Sequence, residues 1–294
     1  MRYKITFITL ITLIFTVSAA ASGKPDLNHS SPQSLTLAFI PQENPEKLLG
    51  DIEIITEYLS NFTGLSIKGF VTQDQAAAVE ALKNETADVS FMGALPYVIA
   101  HHYIAAEVLL AELYRGKPNY KGRIFVRKDS GITEINQLRG KTIAFTDPLS
   151  ESGYLYPLEI FTKEGLLSRD EDPENFFSSV YFAGGYQQAI QAVVNGFVDA
   201  AGASQFAELL LSPDQFANIR WIAESELIPS HAVITRSKLD PELKTLFRNA
   251  MLSLNKPENQ HLLSHVYSPD GYISVDHDSY TGVEAIARLY KIIK

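Results

Sequence analysis

With 294 residues, 46% of them hydrophobic and 20% charged, the chain has ordinary globular composition and the length for two domains of modest size. A formal charge of -9 argues against nucleic acid as a partner, because phosphate binding is driven by clustered Lys and Arg. The sequence has no cysteine, which excludes disulfides and leaves the hydrophobic cores to hold the fold.

Residues 1–21, MRYKITFITLITLIFTVSAAA, read as a secretory signal peptide. They combine basic Arg2 and Lys4, an apolar run from Ile5 to Val17, and Ala19 and Ala21 in an A-x-A arrangement. The alternative, an uncleaved membrane anchor, asks for roughly 20 apolar residues, more than this run supplies. Loss of Arg2 and Lys4 with no acid moves the charge from -9 to -11. Without a cysteine at the cleavage site for lipid attachment, the expected product is a freely diffusing periplasmic protein, not a lipoprotein.

A polar linker, residues 22–33, precedes alternating β-rich runs and amphipathic stretches. SLTLAFI is a predicted strand, and LLGDIEIITEYLSNFTG a helix with Leu48, Ile52, Ile55 and Leu59 at 3–4 spacing. LSIKGFV, DQAAAVEALKNETA and DVSFMG continue as strand, helix and strand. This βαβαβ order predicts a parallel sheet covered on both faces, with ligands gathering beyond the carboxyl ends of the strands. RIFVRK and KTIAF are further strands, followed by the helix GYLYPLEIFTKEGLL, the strand SSVYFA, the helix YQQAIQAVVNGF and the short strand VDAAGA. HAVITR supplies one more strand, and the remainder reads as mostly helical. The expected fold class is α/β, with two doubly wound lobes and a ligand cleft between them. Residues 34–120 with 232–294 are assigned to lobe 1 and 121–231 to lobe 2, so the chain crosses twice and the cleft closes by hinge motion.

The stretch DPLSESGYLYP places Ser150, Glu151, Ser152 and Gly153 where a strand ends and a helix begins. A serine nucleophile needs a histidine within hydrogen-bond reach, usually on a G-x-S-x-G elbow, and these glycines are wrong for it. Two readings remain open from spacing alone. Ser150 caps a helix whose first turn holds Glu151, or the turn aims free N–H groups at a bound oxyanion.

His101 and His102 diverge by about 100° around a helix, which favours a rim helix over a metal site. His277, between Asp276 and Asp278, reads as surface, and RDEDPENF lacks the glycine and terminal glutamate of a calcium loop. No metal or cofactor is expected. Among 14 tyrosines, Tyr97, Tyr114, Tyr120, Tyr154 and Tyr186 fall at predicted strand or loop ends, and two or three of them are expected to line the cleft.

Five phrases then carry a resemblance: FIPQENPEKL, DVSFMGALPYVIAH, NYKGRIFVRKDSGITEINQLRGKTIAFTDPLSESGYLYP, AGGYQQAIQAVVNGFVDAAGAS and LIPSHAVITRSKLDPELK. Over roughly residues 34–255 the chain resembles the substrate-binding proteins of phosphate/phosphite/phosphonate ABC transporters. The resemblance implies a type II periplasmic binding fold and a non-enzymatic, monomeric protein that hands a small molecule to a membrane ABC permease. An alternative with the same fold is a sensory protein that presents its ligand to a sensor kinase. The resemblance also implies an oxyanion cradle at Ser150–Gly153, with Tyr97, Tyr120, Tyr186, Gln187 and Asp199 at the cleft.

The contact positions depart from the family pattern. Glu151 stands where the family usually has Thr, Tyr186 and Gln187 replace a His followed by an acid, and Gln75 replaces an aromatic. A carboxylate about 4 Å from a bound anionic charge costs about 4 kcal/mol at an effective dielectric of about 20. The ligand is therefore expected not to be an aminoalkylphosphonate.

Overall fold

The computed structural model describes residues 33–42, 45–267 and 269–294. The expected signal peptide and nearly all of the linker lie outside the described residues. No helix among the described residues is long and apolar enough to cross a membrane.

The strands are β1 (Ser34–Phe39), β2 (Ser66–Val71), β3 (Val89–Met92), β4 (Glu107–Leu113), β5 (Asn119–Tyr120), β6 (Gly122–Arg127), β7 (Thr142–Phe145), β8 (Ser179–Phe182), β9 (Ala200–Ser204), β10 (Ile219–Glu224), β11 (Ile228–Pro229), β12 (Ala232–Thr235) and β13 (Gly271–Ser274). The α-helices are α1 (Pro45–Thr63), α2 (Gln75–Lys83), α3 (Ala94–Ile104), α4 (Tyr156–Lys163), α5 (Tyr186–Val194), α6 (Pro213–Ala217), α7 (Pro241–Leu252) and α8 (Thr281–Leu289).

Two mixed sheets organise them. The first runs β13-β4-β12-β3-β1-β2 and the second β10-β6-β9-β7-β8. The βαβαβ order delivers the expected parallel pairing of β2, β1 and β3, while β12 inserts antiparallel to both β3 and β4. In the second sheet β8, β7 and β9 are parallel and β6 joins antiparallel to β9. Each sheet carries a hydrophobic core on both faces. Below the first sheet, α1 presents Leu48, Ile52, Ile55 and Leu59 to Phe39, Phe91 and Phe247. Phe39 and Phe91 stack with centroids 4.5 Å apart. On its other face Ala78, Leu82, Leu95 and Val98 pack with Tyr97, Tyr280 and Val283. The second sheet has its own two cores, one around Phe145, Phe161 and Phe177, the other around Phe125, Ile190 and Val193.

The chain passes between the sheets twice, at β5 and β11, and these two short strands pair antiparallel with Tyr120 opposite Ile228. Five strands escaped the sequence reading: β4, β10, β13 and the two-residue β5 and β11. In EVLLAEL the apolar run is interrupted by Glu112, and the C-terminal strand GYIS is only four residues long, too short for a periodic signal.

Candidate functional site

The carboxyl ends of β1, β3 and β7 and the turn before α5 converge where the two sheets face each other. Ser150 caps the helical start after β7, its Oγ accepting from the Gly153 amide at 3.0 Å. The next turn is wide: the Tyr156 amide reaches back to the Glu151 carbonyl, a π-type closure over Glu151–Leu155. Such inserted turns re-aim side chains, and here the Glu151 side chain turns inward and is fully buried.

Its carboxylate occupies the start of α3. Oε2 lies 3.5 Å from the Leu95 amide, in the first turn of that helix, where a negative charge suits the helix dipole. Gly93 makes room: a Cβ there would collide with both carboxylate oxygens. Oε1 accepts from the Tyr120 hydroxyl at 2.7 Å, and Tyr120 also lies 3.2 Å from Ser152 Oγ. Ser152 Oγ is 2.8 Å from the Tyr186 hydroxyl. Burial, together with the charge of Glu151, raises the pKa of both phenols, so they stay protonated and available as donors.

His231, one residue before β12, completes the network. Its Nε2 sits 3.3 Å from the Tyr120 and Tyr186 hydroxyls and 3.6 Å from Glu151 Oε1. Its Nδ1 faces the Gln42 amide at 2.9 Å and Glu112 Oε2 at 3.5 Å. Glu112 is buried as well, and its Oε2 accepts from Tyr114 at 2.8 Å. Desolvation pulls the imidazole pKa down, but the hydrogen bond and charge of Glu112, with the charge of Glu151, outweigh it and hold the ring above 6.5. A raised folded pKa means that this protonation stabilises the fold fully below the unfolded value and that the contribution is lost as pH rises through the folded one. The stability advantage of the native protein over His231→Gln is therefore expected to shrink as pH rises above about 6.5. Denaturant unfolding across that range measures it, and a pH-independent difference would contradict the assignment.

Beside this network lies a cavity of about 370 Å³ lined by Gln42, Tyr114, Tyr120, Tyr186, Phe206, His231 and Tyr267, with Arg115 and Asp270 also in its wall. A second, much smaller space touches Gln75, Asp147, Ser150 and Tyr186. There the Asp147 carboxyl is pushed up by burial, with Asp74 and Glu151 adding to it, despite bonds from the Leu149 and Gln75 amides.

Of the tyrosines singled out in the sequence, Tyr114, Tyr120 and Tyr186 line the larger cavity. Tyr97 does not. It is fully buried in the core under α3, with its hydroxyl on His277 Nδ1 at 3.0 Å, because its helical position faces α8 and not the sheets' meeting point. Asp199 is likewise misplaced by the sequence reading: its carboxylate accepts from the Thr142 amide and hydroxyl, both at 2.9 Å, and ties the entry to β9 to the first residue of β7, away from the strands' carboxyl ends. Gln187 is half-buried on α5 and lines neither space. Gln75 opens α2 and accepts from the Gly93 amide at 3.2 Å, bracing the α3 start. His277, read as surface, stacks on His101 at 3.8 Å and bonds Glu284. Tyr154 packs against Phe145 and Phe182. Glu112 and His231 were not foreseen as site residues, since each lies in or beside a strand whose pairing partner is remote in sequence.

Among the described residues no histidine nitrogen lies within hydrogen-bond distance of Ser150 or Ser152; His231 meets Ser152 only through the two phenols. No group of three or more His, Cys, Asp or Glu among them is placed to hold a metal ion.

Two α/β sheets joined by paired crossing strands, with a polar network and cavity where they meet, have the architecture of a solute-binding protein. Residues 37–280 match the family model of the periplasmic substrate-binding proteins of phosphonate ABC transporters, and the chain belongs to that family. It is 27% identical over 264 residues to the phosphate-import protein PhnD of Mycolicibacterium smegmatis, covering 84% of this chain and 81% of that one. Its fold is similar to a binding protein component of an ABC phosphonate transporter from Pseudomonas aeruginosa, with a TM-score of 0.79 at 21% identity over 88% of this chain and 87% of that one. It is also similar to PhnD1 from Prochlorococcus marinus in complex with methylphosphonate, with a TM-score of 0.78 at 18% identity over 89% of this chain and all of that one. The chain is thus a solute-binding component of an ABC importer, in a family of transport proteins and not of enzymes.

Proposed function

We propose that this binding protein delivers to its permease a small organic molecule that carries no free phosphonate or phosphate group. The single observation behind this reading is the position of Glu151. Its carboxylate already takes the Tyr120 hydroxyl and the α3 start, while the Gly153 amide is held by Ser150 and the Gly93 amide by Gln75. The donors that would receive an oxyanion are engaged by the chain's own oxygens, and an arriving anion would meet a buried like charge.

Closure about β5 and β11 accompanies binding in this reading, with residues 34–120 and 232–294 moving against 121–231. The antiparallel pair Tyr120 and Ile228 supports a hinge there, and Tyr120 itself links hinge to Glu151. The closed form is what a permease would recognise. The family and its relatives are transport proteins, which favours this role over ligand presentation to a sensor kinase. A periplasmic, freely diffusing monomer fits the family and the signal-like residues 1–21.

Isothermal titration of the purified protein with methylphosphonate, 2-aminoethylphosphonate and inorganic phosphate tests the ligand class. No heat above dilution at millimolar concentrations is expected. Micromolar binding of any of the three would overturn the reading.

A further inference from the structure

The larger cavity has a distinctive wall. Tyr114, Tyr120, Tyr186, Phe206 and Tyr267 surround it together with His231. The Phe206 ring stacks on Tyr114 with centroids 4.8 Å apart and lies near-parallel to Tyr120 at 6.4 Å, so one aromatic from the second sheet's body closes over two from the crossing region. The Tyr186 and His231 rings lie parallel, 6.2 Å apart. Such faces carry the negative lobe of the ring quadrupole.

Directly behind this wall sit two carboxylates. Glu112 bonds Tyr114 and faces His231; Glu151 bonds Tyr120 and faces the same imidazole from its other nitrogen. Glu112 is 1% exposed and Glu151 0%. Among the described residues His231 is the one cationic side chain within ion-pair distance of either, so two buried acids share a single imidazole. Glu112 Oε1 is buried without any hydrogen-bond partner. A buried carboxylate oxygen without a partner is costly, and no second cationic side chain among the described residues offers one. Arg115 does not supply it: that side chain is exposed, with its guanidinium over Phe206 at 5.8 Å and Asp270 also in the cavity wall.

We infer that the cavity is a site for a small organic cation of the alkylammonium class, held against the ring faces of Tyr114, Tyr120, Tyr186 and Phe206 with Glu112 and Glu151 as buried counter-charges. The inference rests on the proposed absence of an oxyanion on the ligand and adds the sign of its charge. The hydroxyls of Tyr114 and Tyr120 already point at the two acids, so what the wall offers a ligand is the ring surface left over from the Phe206–Tyr114 stack and the Arg115–Phe206 contact. A cation with no N–H groups to satisfy suits such a wall, and a volume of about 370 Å³ accommodates one of choline size.

The test compares choline with 3,3-dimethyl-1-butanol, its neutral counterpart of the same shape, by titration calorimetry on the purified protein, with methylphosphonate run in parallel. Choline is expected to bind at least tenfold more tightly than the alcohol. Glu112→Gln is expected to weaken choline at least tenfold and leave the alcohol unchanged; Phe206→Leu, which keeps apolar volume but removes a ring face, acts in the same direction should the first variant fold poorly. Equal binding of choline and the alcohol, or no binding of choline and of tetramethylammonium, overturns the cation inference while the oxyanion-free reading stands. Binding of methylphosphonate overturns that reading instead.

Discussion

Glu151→Thr is expected to raise the affinity of the cleft for methylphosphonate or phosphate at least a hundredfold. The substitution withdraws the carboxylate from the α3 start and frees the Tyr120 hydroxyl and the Leu95 amide, two donors that now converge on the chain's own oxygens. It also removes repulsion of about 4 kcal/mol for a charge about 4 Å away at an effective dielectric of about 20, which alone corresponds to about a thousandfold. The hydroxyls of Ser152 and Tyr186 already lie 2.8 Å apart beside it, so the exposed seat is bordered by further donors. Calorimetry with methylphosphonate, alongside thermal unfolding to show that the variant is folded, decides the matter. A folded variant that still takes no oxyanion would mean that Glu151 is not what excludes one.

Gly153→Ala is expected to destabilise the protein by about 3 kcal/mol, lowering the melting temperature by about 6–12 °C. The Cβ would run into Thr146, contacting its Oγ1 and approaching both Cβ and Cγ2 to 2.8 Å. Thr146 is 3% exposed and cannot swing away, and its neighbour Gly153 carbonyl also presses close to Gly202 across β9. Relief must come from the wide turn itself, which would shift Glu151 off α3. Differential scanning calorimetry measures the loss, and an unchanged melting temperature would show that the turn is looser than its contacts indicate.

Much of the architecture was legible in order. The 3–4 spacing of Leu48, Ile52, Ile55 and Leu59 places α1 against the first sheet as observed, and the βαβαβ run produces the parallel ladder of β2, β1 and β3. The Ser150 cap was visible too, because capping needs only a hydroxyl and an amide three residues on. Tyr97 and Asp199 were misread for one common reason. Both sit near an element end, and which way such an end faces depends on packing partners far along the chain: α8 for Tyr97 and β7 for Asp199. Tyr120 and Tyr186 border the larger cavity, yet the acids they bond or face were only half visible.

By itself the sequence determined the alternating α/β order, the chain's likeness to a transport family, and the presence of an acid between Ser150 and Ser152. Those are local facts, written in periodicity and in residues a few positions apart. Only the tertiary structure decided that the acid faces inward, because Gly93, Leu95, Tyr120 and His231 reach Glu151 from separations of 31 to 80 residues. It likewise brought Glu112 to His231 across the β4 and β12 pairing. The sign and strength of a buried charge's surroundings follow from which remote groups desolvate and bond it, and that is a property of the folded chain.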